Sequence, residues 1–245
     1  MDATTTTRHK GLLRSRTASG DTQTAIDTWY RAAVERGQRI CTVGTLPLTG
    51  TAAARETALD PADLHPSAEP ARLVQRALGD GYQGLGVLIH ADEVIATTSE
   101  RFHDAVETAL TDLCTDHPVE VLCVYDRPGV GTDCLDLAVE HHEGDLREEQ
   151  LTVRRTTDVV HVAGEVDMTN LDVLDTALRA TALARGRRLR IDLSEATFLS
   201  AGAAHVLHRH AAVLRQAGAH VELHGAAPPV ARALQLVELS LRSPG

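Results

Sequence analysis

Several stretches of the chain carry side chains that could do chemistry. Leu88-Ile89-His90-Ala91-Asp92-Glu93 is an apolar run ending in an acid pair, the pattern of a strand that holds a metal beside a nucleotide. Nucleotide chemistry also needs a phosphate clamp of the form G-x-x-x-x-G-K-[ST], whose lysine pairs with the phosphates. The nearest stretch, Gly44-Thr45-Leu46-Pro47-Leu48-Thr49-Gly50-Thr51, is one residue too long and has no lysine. The only lysine of the chain is Lys10. Tyr125-Asp126-Arg127 follows a second apolar run and could seat a small ligand, because open α/β sheets bind ligands at the carboxyl ends of their strands. More plainly, Asp126 and Arg127 begin a Pro-Gly turn. His205 and His208 stand three apart on one helical face, and His161, His220 and His224 fall on neighbouring strands, but a metal centre needs further ligands and a supporting shell. There is no Gly-x-Ser-x-Gly elbow and no His-Glu-x-x-His motif. The expectation is a protein without catalytic residues, metal or cofactor.

The whole chain has 245 residues and a formal net charge of -10. That acidity argues against a nucleic acid as the main ligand, since phosphate binding needs concentrated cation. The charge is uneven: residues 1–150 hold 13 basic and 25 acidic side chains, and residues 151–245 hold 11 and 9. Two modules of different character are expected. No apolar run is long enough for a membrane-spanning helix. The four cysteines (Cys41, Cys114, Cys123, Cys134) lack paired spacing and read as free, mostly buried thiols of a cytoplasmic protein.

The elements that must position these residues follow from periodicity. Residues 1–23, rich in Thr, Ser and Arg, read as a disordered tail. Residues 24–142 alternate helix and strand: helix from Thr24 to Arg36, strand from Arg39 to Val43, mostly loop from Leu46 to Glu69, helix from Ala71 to Leu78, strand from Gly84 to Ile89, helix from Glu100 to Leu113, strand from Val119 to Tyr125 and helix from Thr132 to His141. This is an α/β pattern with a largely parallel sheet. The charged segment 143–150 reads as a linker. Residues 151–240 then give β-β-α-β-α-β-α, a mixed sheet with helices packed on it. A hairpin spans Leu151 to Ala163, helices run from Asn170 to Ala184 and Ala203 to Gln216, strands from Leu189 to Leu193 and His220 to His224, and a last helix starts at Pro228-Pro229.

In this second module, Gly164-Glu165-Val166-Asp167 and then Ile191-Asp192-Leu193-Ser194-x-x-x-Phe198-Leu199 resemble the STAS domain of anti-sigma factor antagonists. The resemblance implies a partner surface at Asp167, Asp192, Ser194, Ser200, Ala201 and Gly202. Asp192 and Ser194 would orient the loop after the third strand, and Gly202 would allow close backbone approach. In the family that loop reads Asp-Ser-Ser-Gly-Leu, and its first serine is phosphorylated by a kinase-type anti-sigma factor. Without a gap, Ser200 falls on the aspartate and Ala201 on the phosphoacceptor; a one-residue deletion would put Ser200 on the phosphoacceptor instead. Ala201 has no hydroxyl, so the ungapped alignment implies a module that binds constitutively or is switched from elsewhere.

In the first module, Gly81-Tyr82-Gln83-Gly84-Leu85-Gly86-Val87 and His117 through Arg127, with its Cys-x-Tyr-Asp-Arg end, resemble the MEDS domain. That is a sensory domain of bacterial regulators, distantly related to RecA-type P-loop ATPases. The family's usual histidine and acidic cluster before the first helix is missing here. Together the two resemblances imply a degenerate RecA-like sensory domain fused to a STAS domain. Such a regulator would bind an anti-sigma factor of the histidine-kinase-like ATPase type, and a small ligand or second protein on its N-terminal part. The alternatives are a degenerate RecA-like nucleotide enzyme with a STAS regulator, or a scaffold of a stress-signalling assembly.

Overall fold

The computed structural model describes residues 8–14, 19–45, 57–126, 132–142, 144–148, 150–156, 158–181 and 188–237. The chain divides into two compact units, residues 1–134 and 135–245. The α/β class is the one expected from the alternation of apolar runs and amphipathic stretches.

The first unit is built on a parallel sheet of order β1-β5-β4-β2-β3. Its strands are β1 (His9–Arg14), β2 (Gln38–Val43), β3 (Thr57–Ala58), β4 (Gly84–His90) and β5 (Val119–Asp126). Every pairing among these five is parallel. The central strands β4 and β5 are buried almost throughout, as strands covered on both faces must be. Helices α1 (Ser19–Glu35), α2 (Pro61–Leu64), α3 (Ala71–Gly79), α4 (Ala91–Thr97) and α5 (Glu100–Asp116) accompany them. One core cluster joins Leu12 of β1, Ile26 and Trp29 of α1, Leu88 of β4, and Leu122 and Val124 of β5. The sequence assigns residues 1–23 to a disordered tail; residues 1–7 and 15–18 lie outside the described residues, and for the rest this is corrected: β1 pairs with β5 in register His9↔Val121 through Arg14↔Asp126, Leu13 is fully buried, and α1 starts at Ser19. Burying a leucine contributes about 1.5–3 kcal/mol, enough to hold a short strand whose composition is otherwise polar.

The second unit contains a mixed sheet of order β10-β9-β8-β7-β6. The strands are β6 (Leu146–Glu148), β7 (Leu151–Arg155), β8 (Val159–Val166), β9 (Arg188–Leu199) and β10 (His220–His224). The pairs β6/β7 and β7/β8 are antiparallel, and β8/β9 and β9/β10 are parallel. Helices α7 (Leu171–Thr181), α8 (Ala201–Gln216) and α9 (Pro228–Gln235) follow the expected order. Two boundaries differ from the sequence expectation. Within the charged segment 143–150, Leu146 and Glu148 are buried in β6, so that stretch is not simply a linker. Helix α6 (Thr132–His141), read from sequence with the first module, falls mostly in the second unit and is bonded there. Arg155 Nη2 donates to the Val139 carbonyl (2.6 Å), and Arg179 Nη2 lies 3.3 Å from Asp136.

Candidate functional site

The surface implied for partner binding is assembled where β8 and β9 end and α7 and α8 begin. Gly164 adopts φ +88°, and the Glu165 N–H donates to the Gln150 carbonyl (2.7 Å), which kinks β8. The β8/β9 register shifts at this point. Beyond it the turn is fastened by Asn170, which is fully buried and which the sequence reading missed. The Asp167 N–H donates to Asn170 Oδ1 (3.0 Å), and Asn170 Nδ2 donates to the Glu165 carbonyl (2.9 Å). An asparagine directly before an amphipathic helix is the signal that could have flagged it. Asp167 accepts from the Thr169 hydroxyl (2.6 Å) and backbone (2.7 Å), and these bonds hold its carboxyl below the ordinary aspartate value.

Strand β9 delivers Ser200 to the same place. The Ser200 N–H donates to the Val166 carbonyl (2.9 Å), and its Oγ caps α8 by accepting from the Ala203 N–H (3.2 Å). Ala201 is exposed at the first helical position. Gly202 lets Met168 approach: a Cβ there would stand 3.3 Å from the Met168 sulfur. Met168 (75% exposed) and Phe198 (46% exposed) present apolar side chains beside them. The structure therefore brings Asp167, Ser200, Ala201 and Gly202 onto one face, with Glu165 in register opposite Phe198.

Asp192 and Ser194 are placed elsewhere. The sequence stops the third strand at Leu193, but β9 runs on to Leu199, so Asp192 sits mid-strand, opposite His161 of β8 and His224 of β10. Asp192 Oδ1 accepts the Ser194 N–H (3.0 Å), and its carboxylate lies 3.4 Å from His161 Nδ1 and 3.8 Å from His224 Nδ1. Burial alone would raise its pKa, but the Ser194 hydrogen bonds and the two histidines outweigh it and hold the carboxyl low. The hydrogen bonds expected to orient the Ser200 loop instead come from Val166 and Ala203. The pair His205 and His208 has ring centroids 6.5 Å apart and joins no metal-binding group among the described residues.

A second polar contact fixes α8 against α7. Asp175 accepts from His210 Nε2 (2.6 Å) and from Arg209, with Arg179 at 3.5 Å. Burial would raise the Asp175 carboxyl; the His210 bond and the Arg209 charge pull it below the ordinary value. A carboxyl lowered by folding stabilises above its unfolded pKa and loses that contribution as pH falls through the folded one. Asp175→Asn should therefore cost about 1 kcal/mol at neutral pH, part of the contact being solvent-screened. The deficit relative to wild type should vanish below the ordinary aspartate range. Chemical denaturation at a series of pH values checks this.

In the first unit, Asp126 ends β5 beside the acid pair. Its N–H donates to Asp92 Oδ2 (2.5 Å), and its carboxylate lies 3.2 Å from His90 Nε2. His90 Nδ1 faces Glu93 (3.3 Å), which also accepts from the Thr45 N–H (2.6 Å). Burial lifts the Asp92 carboxyl above its ordinary value, against the lowering effect of the Asp126 N–H. Arg127 lies outside the described residues, as does the loop from Leu46 to Thr51. The expectation that Tyr125 meets a ligand at the strand end is corrected. Tyr125 is fully buried, and its hydroxyl donates to Glu107 Oε1 (3.0 Å), because strand alternation turns it away from the side chain of Asp126.

Glu107 is the residue that sequence reading missed most completely. It occupies the buried face of α5 with no exposure, and it gathers His9 Nε2 (2.9 Å), His103 Nε2 (3.2 Å) and Cys123 Sγ (3.6 Å) besides Tyr125. Cys41, Cys114 and Cys123 are buried free thiols, as expected. Burial raises the pKa of each, that of Cys114 to about 12. For Cys123 and Tyr125 burial and then the Glu107 charge push both groups well above their ordinary values.

Comparison with known proteins bears on the second unit. The family described as "Mlab, STAS domain" matches residues 150–240. The C-terminal unit is thus a STAS domain, and its likeness is to regulatory modules of the anti-sigma factor antagonist type. No curated protein matches the chain. No helix among the described residues is long and apolar enough to cross a membrane.

Proposed function

We propose that this chain is a bacterial cytoplasmic regulator whose STAS domain binds an anti-sigma factor of the histidine-kinase-like ATPase type. The N-terminal unit, similar in sequence to MEDS domains, senses a small ligand or a second protein and alters access to that surface. The observation that carries this proposal is the STAS match, combined with the exposed Met168 and Phe198 beside Ala201. Apolar side chains next to two helix starts suit a partner that buries them without leaving unpaired charge. The stretch from Gly44 to Thr51 lacks the lysine of a P-loop, which favours a role in binding over nucleotide turnover.

Affinity capture with the full chain, read by mass spectrometry, should recover a histidine-kinase-like ATPase. Ala201→Glu should weaken that complex about 100-fold or more, because it buries an unpaired carboxylate in the interface. Recovery without such an ATPase, or capture indifferent to Ala201→Glu, sinks the proposal. With that partner and ATP, the chain should stay unphosphorylated, since position 201 has no hydroxyl and the Ser200 oxygen caps α8.

One observation favours the enzyme alternative: Asp92, Glu93, His90 and Asp126 meet at the carboxyl ends of parallel strands. ATP turnover abolished by Asp92→Ala would support it.

A further inference from the structure

Beyond partner binding, we propose that His9, Glu107 and Cys123 form a buried zinc site in the first unit. Their ligand atoms lie within 4.8 Å of one another. His9 Nε2 and Glu107 Oε2 are 2.9 Å apart, Cys123 Sγ is 3.5 Å from His9 Nε2, and Cys123 Sγ is 3.6 Å from Glu107 Oε2. Zinc binds imidazole, carboxylate and thiolate at roughly 2.0–2.3 Å in a tetrahedron, whose ligand-to-ligand edges are then about 3.3–3.7 Å. Two of the three edges already have that length, and the third must open by about half an ångström to reach it.

The surroundings select the right lone pairs. The Thr111 hydroxyl donates to the Glu107 carbonyl (3.0 Å), so its contact with His9 Nδ1 (2.9 Å) is donated by the imidazole. Nε2 faces Glu107 Oε2 at 2.9 Å, a spacing that calls for a proton or a metal ion between the two atoms. Glu107 Oε1 is engaged by the Tyr125 hydroxyl at 3.0 Å and His103 Nε2 at 3.2 Å, and Oε2 is the oxygen that faces His9 and Cys123. Metal-binding histidines and carboxylates are oriented by outer bonds of this kind. The three residues come from β1, α5 and β5, so the ion would fasten the first strand to the sheet. Mixed imidazole, carboxylate and thiolate donors suit zinc over magnesium or calcium, which take oxygen ligands.

Cobalt(II) is the spectroscopic probe. The purified full chain, stripped with chelator, is titrated with Co2+ alone. The expected result is a thiolate-to-cobalt charge-transfer band with tetrahedral visible bands, displaced by Zn2+. Cys123→Ser should abolish the charge-transfer band, Cys41→Ser should keep it, and Thr111→Val should weaken binding about 10–100-fold. Absence of the band in the wild type overturns the site, and so does its persistence in Cys123→Ser. Because the wild-type titration decides by itself, a variant that fails to fold does not protect the proposal. The readout involves neither the STAS surface nor any partner, so it stands or falls separately from the proposed function.

Discussion

Deletion through Arg14 is expected to leave residues 1–134 unable to fold cooperatively. A disordered tail could be trimmed without effect, but β1 is part of the sheet. Its removal uncovers the side of β5 it pairs with, and takes Leu12 and Leu13 (4% and 0% exposed) from the core. Each leucine contributes about 1.5–3 kcal/mol. Losing His9 also removes one of the partners of the fully buried Glu107. Domains hold only about 5–15 kcal/mol in total. Trp29, the only tryptophan of the chain, packs in the same cluster as Leu12 and is 8% exposed. Its emission should shift to the red in the deleted protein, and its sigmoidal denaturation curve should disappear. A native-like emission spectrum and an unchanged melting temperature would show that β1 is dispensable.

Gly164→Ala is the second severe change, this time in the STAS domain. The residue has φ +88°, and a Cβ there would stand 2.0 Å from the Gln150 carbonyl oxygen. A side chain at such a φ costs about 1–2 kcal/mol. The clash must then be relieved by parting β7 from β8 at the pair Leu151↔Gly164, for about 1–3 kcal/mol more. The melting temperature of the second unit should fall by about 15 °C. Amides of residues 159–166 should lose protection first in hydrogen exchange. Gly164→Asn separates the two causes. Asparagine tolerates positive φ but carries the same Cβ, so a defect as large as that of alanine assigns the loss to the clash.

Much of the framework was legible because its signals are local. The unbroken apolar runs of β4 and β5 and the helical spacing along α5 and α8 define elements without reference to anything distant. The turn Gly164-Glu165-Val166-Asp167 was legible through its resemblance to the STAS domain. What escaped has a long-range cause. β1 is six residues with two large apolar side chains, and only its pairing with β5 makes it a strand. Glu107 looks like any solvated acid on an amphipathic helix, and its role depends on His9 and Cys123 meeting it from two strands. Asp192 was read at a strand end because Ser194-Glu195 interrupts the apolar run; the parallel pairing with β8 carries the strand on to Leu199.

The pairing of β1 with β5 also sets an order in time. His9 sits opposite Val121, so β1 waits for 112 further residues before its partner exists. At roughly 5–20 residues per second that is a delay of about 6–22 s. Through that interval Leu12 and Leu13 have no core to enter, and the loop that must close is among the longest the unit contains. Such non-local pairings form late and slowly. Within this unit β1 is therefore synthesised before its partner and incorporated after it, and during that interval the nascent chain offers an unpaired strand to chaperones or to a neighbouring copy of itself.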